Sequence, residues 1–298
     1  MSRFQGLTAI ITGASSGVGE ACARAFSAEG ANVVLVARSK DKLNALQKQI
    51  TNSYAYPADL SNPKTFDKLF QSIEKKFGQI NILVNNAGVN YRGAVDEVEQ
   101  DLGLIIDLNL RTPIVMTQKA IQYIKKAGRG AIVNVASLAG RVPLAHEATY
   151  SASKFGLRAF SLSMAQETEG TGIHVSVVSP GPIDTGFIQK DIETVPPLVF
   201  SQTMSTAEQV AEMVLDCAFD GKPERVIPKA GGFLTTTGYL FPSLRKALLP
   251  IMQKKGEKAK RKYIAQLPPA PPEPIKPPKK TAKKTKKAPK KASPRKRR

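Results

Sequence analysis

Tyr150 and Lys154 stand four residues apart in sequence of helical character, a spacing that puts a phenol and an ammonium on one helical face. A phenol with a reference pKa of about 10 is a poor base at neutral pH, and a nearby ammonium stabilises its phenolate. The pair could therefore give a proton to a carbonyl oxygen or take one from an alcohol. Ser137, just after a β-branched run, could hydrogen-bond the same oxygen and hold it in line. Taken alone, a Tyr-x-x-x-Lys pair is common and usually structural. Its position behind other motifs gives it weight.

The first of those motifs is Thr12-Gly13-Ala14-Ser15-Ser16-Gly17-Val18-Gly19, which follows an apolar run and precedes helix-forming sequence. Glycines at these positions let the backbone turn tightly and approach a pyrophosphate seated at a helix N-terminus, where free N–H groups point outward. A simple glycine turn is the alternative. The second apolar run ends at Arg38-Ser39-Lys40, where NAD-binding domains usually place an acid for the ribose hydroxyls. Arg38, helped by Ser39 or Lys40, could grip a 2′-phosphate with its guanidinium fork, favouring NADP(H) over NAD(H). It could equally be a surface arginine opening a helix. Asp59 and Asn85-Asn86-Ala87-Gly88 follow the next two runs, at strand ends that would open onto a ligand crevice. His146 and His174 are the only histidines and form no ligand cluster, so no metal is expected.

To position these residues the chain alternates short β-branched runs with segments of helical period. The runs cover 7–12, 32–37, 54–58, 80–84, 130–136 and 174–179, with a weaker seventh at 225–228. Continuous apolar strands between helices imply a sheet buried on both faces, hence an α/β, doubly wound Rossmann fold with a seven-stranded, mostly parallel sheet flanked by helices. Periodicity fails between Asp184 and Ser205, around Pro196-Pro197, where such a domain keeps its substrate loop; a helix resumes at Thr206. The catalytic domain is expected over residues 1–235.

The net charge of +20 is unevenly spread. Residues 254–298 hold 19 basic and 2 acidic side chains, leaving the body nearly balanced. Residues 236–267 read as an apolar and basic extension: either a final helix packed on the domain, or an amphipathic segment on an anionic membrane surface or at the mouth of an apolar pocket. Pro242 and Pro250 are expected to break it into short pieces. Residues 268–298, rich in Lys and Pro, are expected to stay disordered and either to contact a polyanion or anionic membrane nonspecifically or merely to solubilise. Pro294 to Arg298 could also serve as a nuclear address. Cys22 and Cys217 read as core thiols in a reducing compartment. With no secretory leader and no apolar stretch of about 18 residues, the expectation is a cytoplasmic protein, peripheral on a membrane at most.

Over residues 5–235 the ordered set of the glycine motif, Asn85-Asn86-Ala87-Gly88, Asn109, Ser137, Tyr150-Ser151-Ala152-Ser153-Lys154 and Pro180-Gly181-Pro182-Ile183-Asp184-Thr185 closely resembles the short-chain dehydrogenase/reductase family. The resemblance implies a catalytic tetrad of Asn109, Ser137, Tyr150 and Lys154, with Asn109 holding a water that links Lys154 to solvent. It implies cofactor contacts from Gly13, Ser15, Ser16, Gly17, Val18 and Gly19, from Arg38, Asp59 and Leu60, and from Asn86, Ala87 and Gly88. Tyr150, Lys154, Pro180, Gly181, Ile183 and Thr185 complete that set. It also implies dimers or tetramers built through two long helices, 111–126 and 150–167. Arg111-Thr112 departs from the family, which often has glycine there; local packing or a partner surface is affected, not the tetrad.

The expected function is NADP(H)-dependent hydride transfer to or from a carbonyl or secondary alcohol of an apolar substrate such as a lipid or steroid-like ketone. The motivation is the apolar sequence of 234–252 beside the loop 187–203. A 3-oxoacyl thioester reductase, its basic surface attracting an acidic carrier protein, is the alternative within enzymes. A non-catalytic nucleotide sensor docked by its basic tail is the alternative outside them.

Overall fold

Ile10 and Ile11 are neighbours in sequence, wholly buried, and belong to the cores on opposite faces of one sheet. That is the consequence of a strand with no polar face: successive side chains alternate, and both sides must be covered. The computed structural model describes residues 2–189 and 192–267, so the expectations for 268–298 lie outside the described residues.

In chain order the regular elements are β1 (Thr8–Thr12), α1 (Gly17–Ala28), β2 (Asn32–Ala37), α2 (Lys40–Gln47), β3 (Ser53–Pro57), α3 (Phe66–Phe77), β4 (Ile82–Asn85) and α4 (Leu102–Ile106). There follow α5 (Thr112–Ala127), β5 (Gly130–Val135), α6 (Ala148–Glu167), β6 (Ile173–Pro180), α7 (Gly186–Gln189), α8 (Ala207–Asp220), β7 (Glu224–Ile227), α9 (Lys229–Leu240) and α10 (Pro242–Gln266). The sheet order is β3-β2-β1-β4-β5-β6-β7. Every pairing is parallel, where the sequence suggested mostly parallel.

On one face Ile11, Leu35, Val84 and Val133 pack with Phe26 of α1 and Val214 of α8. On the other, Ile10, Val34, Leu83 and Ile132 pack with Phe70 of α3 and Met116 of α5. At about 1.5–3 kcal/mol for each large side chain removed from water, these two layers carry the fold. Cys22 and Cys217 lie unpaired and buried in the first layer, and burial pushes their thiols up to about 12 and about 11. Both are core thiols.

Strand order reverses between β1 and β4, and the crevice at such a reversal is where a doubly wound sheet binds ligands. Thr12 holds this point together. Its hydroxyl donates to the Val84 carbonyl at 3.0 Å and accepts from the backbone N–H groups of Asn86 and Ala87 at 2.8 and 3.1 Å.

The C-terminal segment departs from expectation: α10 is one continuous helix through Pro250. Pro242 sits in its first turn, where the missing N–H has no intrahelical partner to lose. Pro250 costs about 3 kcal/mol in a helix interior, and packing on both sides of it offsets that cost. Upstream Leu248 and Leu249 line the main cleft; downstream Ala259 and Tyr263 pack on Val195 and Phe200 of the loop 192–204. The expected domain boundary at 235 falls inside α9, which runs on from the sheet domain toward α10.

Candidate active site

Ser16 precedes α1 in extended conformation, and its side chain makes no hydrogen bond to that helix. The first N–H groups of α1 therefore face the crevice without a side-chain cap, as an anion site requires. Gly13, at φ 68°, could not bear a side chain: a Cβ there would stand 2.8 Å from Asn86 Nδ2. Gly17, at φ 57°, lets the chain turn into the helix beside Thr185. These residues fit a dinucleotide pyrophosphate.

Gly13, Ser15, Ser16, Gly17, Val18, Arg38, Asp59, Leu60, Asn86, Ala87, Gly88, Ser137, Tyr150, Lys154, Pro180, Gly181, Ile183 and Thr185 all line a single cleft of about 1580 Å3. Gly19 and Asn109 do not. Gly19 lies under the turn, where a Cβ would overlap the Gly13 carbonyl, so it serves close packing of helix and strand. Asn109 is fully buried one layer behind the wall, in a π-helical turn at Asp107–Arg111. Its side-chain amide donates to the Val89 carbonyl and accepts from the Val89 N–H, both at 2.9 Å, and donates to Ser153 Oγ at 3.2 Å. That pair of hydrogen bonds to one residue fixes the loop after β4 that carries Gly88. Asn85 also turns away from the cleft, into a buried chain in which its amide donates to Asn134 and that of Asn134 donates to Ser161, each at 2.8 Å.

Lys154 Nζ donates to the Val135 carbonyl at 2.9 Å and stands 5.7 Å from the centre of the Tyr150 ring. Burial lowers the ammonium to about 8. Tyr150 is hydrogen-bonded to Ser137. The expectation of a phenol lowered by its lysine does not hold: Tyr150 is pushed up to about 12, first by burial and then by the charge of Glu147, while the Ser137 hydrogen bond and the charge of Arg92 pull it down. Removing water from around the phenolate outweighs its favourable neighbours. Tyr150 thus keeps its proton at neutral pH.

Arg92 and Glu147 were not legible as functional residues. They form an ion pair at 2.7 Å at the start of α6, three residues before Tyr150. The Glu147 carbonyl accepts from Ser151 N–H at 2.8 Å, so the pair ties the loop after β4 to the first turn of the helix that carries the tyrosine. Nothing in local spacing announces a contact across 55 residues. Asn90 and Gln202 are a second omission. Both amide atoms of Asn90 and Oε1 of Gln202 are buried at the cleft wall with no hydrogen-bond partner among the described residues. Each such atom costs about 1–3 kcal/mol until a ligand or water satisfies it.

Beyond Tyr150 the cleft turns apolar, with Val142, Leu144, Ile188, Val195, Leu198, Leu234, Leu244, Leu248 and Met252 on its walls. The irregular segment expected at 184–205 supplies one wall, as α7 and two 3-10 turns. Lys260 of α10 clamps it, donating to the carbonyls of Glu193 and Val195 at 2.9 Å each, and the Tyr263 hydroxyl donates to Asp184. No cluster of metal-ligating side chains occurs among the described residues.

A doubly wound sheet with a phosphate cradle at its reversal and a proton-bearing phenol beside it defines a nicotinamide-nucleotide-dependent oxidoreductase acting on CH–OH groups. The chain belongs to the short chain dehydrogenase family, whose sequence pattern matches residues 7–195. It is 35% identical over 188 residues to an uncharacterized oxidoreductase of Staphylococcus epidermidis, covering 62% of this chain and 81% of that protein. It is 34% identical over 232 residues to the ketoacyl reductase HetN of Nostoc sp., covering 76% and 80%. It is 31% identical over 227 residues to the 3-oxoacyl-[acyl-carrier-protein] reductase FabG of Thermotoga maritima, covering 73% and 92%. The cofactor is NAD(P)(H), and when bound its nicotinamide supplies or accepts the hydride.

Proposed function

We propose that this enzyme uses NADP(H) to interconvert a carbonyl and a secondary alcohol on a largely apolar small molecule. One observation carries the reading: Ser137 and Tyr150 line the same cleft as the glycine turn before α1 and the apolar side chains of the loop 192–204 and α10. A substrate body of lipid or steroid-like ketone character would fill the apolar half, with Asn90 and Gln202 available to its polar groups. Arg38, exposed at the far end of the nucleotide half, would pair with the 2′-phosphate; its charge already helps hold the Asp59 carboxyl below the ordinary range, behind the stronger hydrogen bonds from Ser61. Asp59 and Leu60 would contact the adenine side, Thr185 the carboxamide region, and Lys154 the nicotinamide ribose. Asn109 would support a water between Lys154 and solvent. The working form would be a homo-oligomer, with the basic C-terminus free to touch a polyanion.

The test incubates purified enzyme and NADPH or NADP+ with a lipid and metabolite extract, with Tyr150→Phe as control, and searches by mass spectrometry for pairs differing by one H2. Tyr150-dependent pairs in the lipid fraction are expected. Pairs confined to polar metabolites would overturn the apolar reading.

A second reading, 3-oxoacyl thioester reduction, draws support from the names of the Nostoc and Thermotoga relatives. Turnover of 3-oxoacyl thioesters well above that of free ketones of equal chain length would favour it.

A further inference from the structure

α9 and the start of α10 carry an apolar face that nothing among the described residues covers. Phe233 is 77% exposed, Ile251 68%, Leu240 63% and Phe241 60%. These are not scattered. Phe233 and Leu240 are seven residues apart on α9 and share a face; Leu244 and Ile251 have the same spacing on α10; Phe241 joins the two helices at their corner. Leu244, itself 46% exposed, is also part of the cleft wall, so the patch runs directly into the apolar half of the active-site mouth. Along the same two helices the charge is one-sided. Residues 229–267 hold nine Lys or Arg and one acid, Glu257.

We propose that this face docks the enzyme on the surface of an anionic lipid bilayer, with Phe233, Leu240, Phe241 and Ile251 entering the headgroup boundary and the surrounding cations held by the lipid phosphates. Aromatic and aliphatic side chains set among lysines and arginines are the composition that such surfaces retain. A second copy of the chain is a poor occupant, since a symmetric pairing of this face would bring two sets of like charges together. Docked this way, the mouth of the cleft meets the hydrocarbon boundary, and a lipid-soluble ketone reaches Tyr150 without crossing water. The inference extends the apolar-substrate reading, but it is measured without substrate, so the two fail separately.

The test is sedimentation of the full-length protein with phosphatidylcholine vesicles, with and without about one-third phosphatidylserine, at about 0.1 M and about 1 M salt. It is repeated for a variant carrying Phe233→Ser, Leu240→Ser, Phe241→Ser and Ile251→Ser. The four side chains are exposed and outside the cleft wall, so turnover of a water-soluble ketone serves as the folding control and is expected to be unchanged. Wild type is expected to bind only the anionic vesicles, and the variant to bind them at least about tenfold more weakly at equal charge. Equal binding by both proteins would overturn the proposal, placing any lipid affinity in the basic residues alone. So would self-association of the wild type that the variant abolishes, because the patch would then be covered by a second copy.

Discussion

Arg92 Nε lies 2.7 Å from Glu147 Oε1, and the two side chains are 8% and 5% exposed. The pair acts on Tyr150 with opposite signs, Glu147 raising the phenol and Arg92 lowering it. Glu147→Gln leaves the lowering charge alone, so the pH at which alcohol oxidation accelerates should move down. Arg92→Met leaves the raising charge alone, and the same limb should move up. Arg92→Met leaves the buried Glu147 carboxylate without this ion pair and should lose about 3–5 kcal/mol of stability. Rate profiles from about pH 6 to pH 10 check the signs; shifts in the same direction for both variants would refute this account.

Lys154 makes the nucleotide-free protein pH-sensitive. Its amine is held at about 8 when folded and returns to its ordinary 10.5 when unfolded. Between those values the unfolded chain binds more protons, so stability should rise with pH across that window. Tyr150 works the other way above about pH 10, because the folded state keeps a proton, up to about 12, that the unfolded chain gives up. Denaturant unfolding at about pH 8 and pH 10 should show wild type gaining stability and Lys154→Met gaining none of that increment.

Arg38 is exposed, and Ser61 satisfies its acidic neighbour Asp59 by two hydrogen bonds, at 3.0 and 2.8 Å. A charge-assisted bond is worth about 1.5–3 kcal/mol. Arg38→Ala should therefore weaken NADPH by about 10- to 100-fold and NADH by little, read as the ratio of kcat/KM for the two nucleotides. An unchanged ratio would assign the arginine to the surface alone.

Lys260 lines the cleft and holds the backbone of the loop 192–204. Lys260→Met removes the donor to two carbonyls, one of them in buried Val195. KM for an apolar ketone should rise several-fold while KM for the nucleotide stays put. Equal effects on both would mean that the whole cleft, and not one wall, had loosened.

The sheet and the nucleotide half of the cleft were legible because their constraints are local. Gly13 and Gly17 answer to a turn, Gly19 to close packing beneath it, and unbroken runs such as 32–37 to burial on two faces. Strand limits moved by only a residue or two, as at Ser53–Pro57 and Ile173–Pro180. Features set by distant contacts were not legible. The helix through Pro250 persists because of side chains from the loop 192–204, and the elevated phenol of Tyr150 reflects walls contributed from across the chain. Asn109 read as a tetrad member by motif, but its burial behind the cleft wall and its bonds to Val89 were not legible.

Gly256 is the buried glycine of α10, and a Cβ there would overlap the Pro197 carbonyl oxygen. At this point the helix rests on the loop 192–204 backbone to backbone, with no side chain between them to absorb a change in loop length or path. Substrate preference in this enzyme is consequently not a portable cassette. A recipient reductase given residues 192–204 without a matching C-terminal helix would inherit the letters of the loop and lose its shape, so selection on the substrate should keep these two distant stretches of sequence changing together.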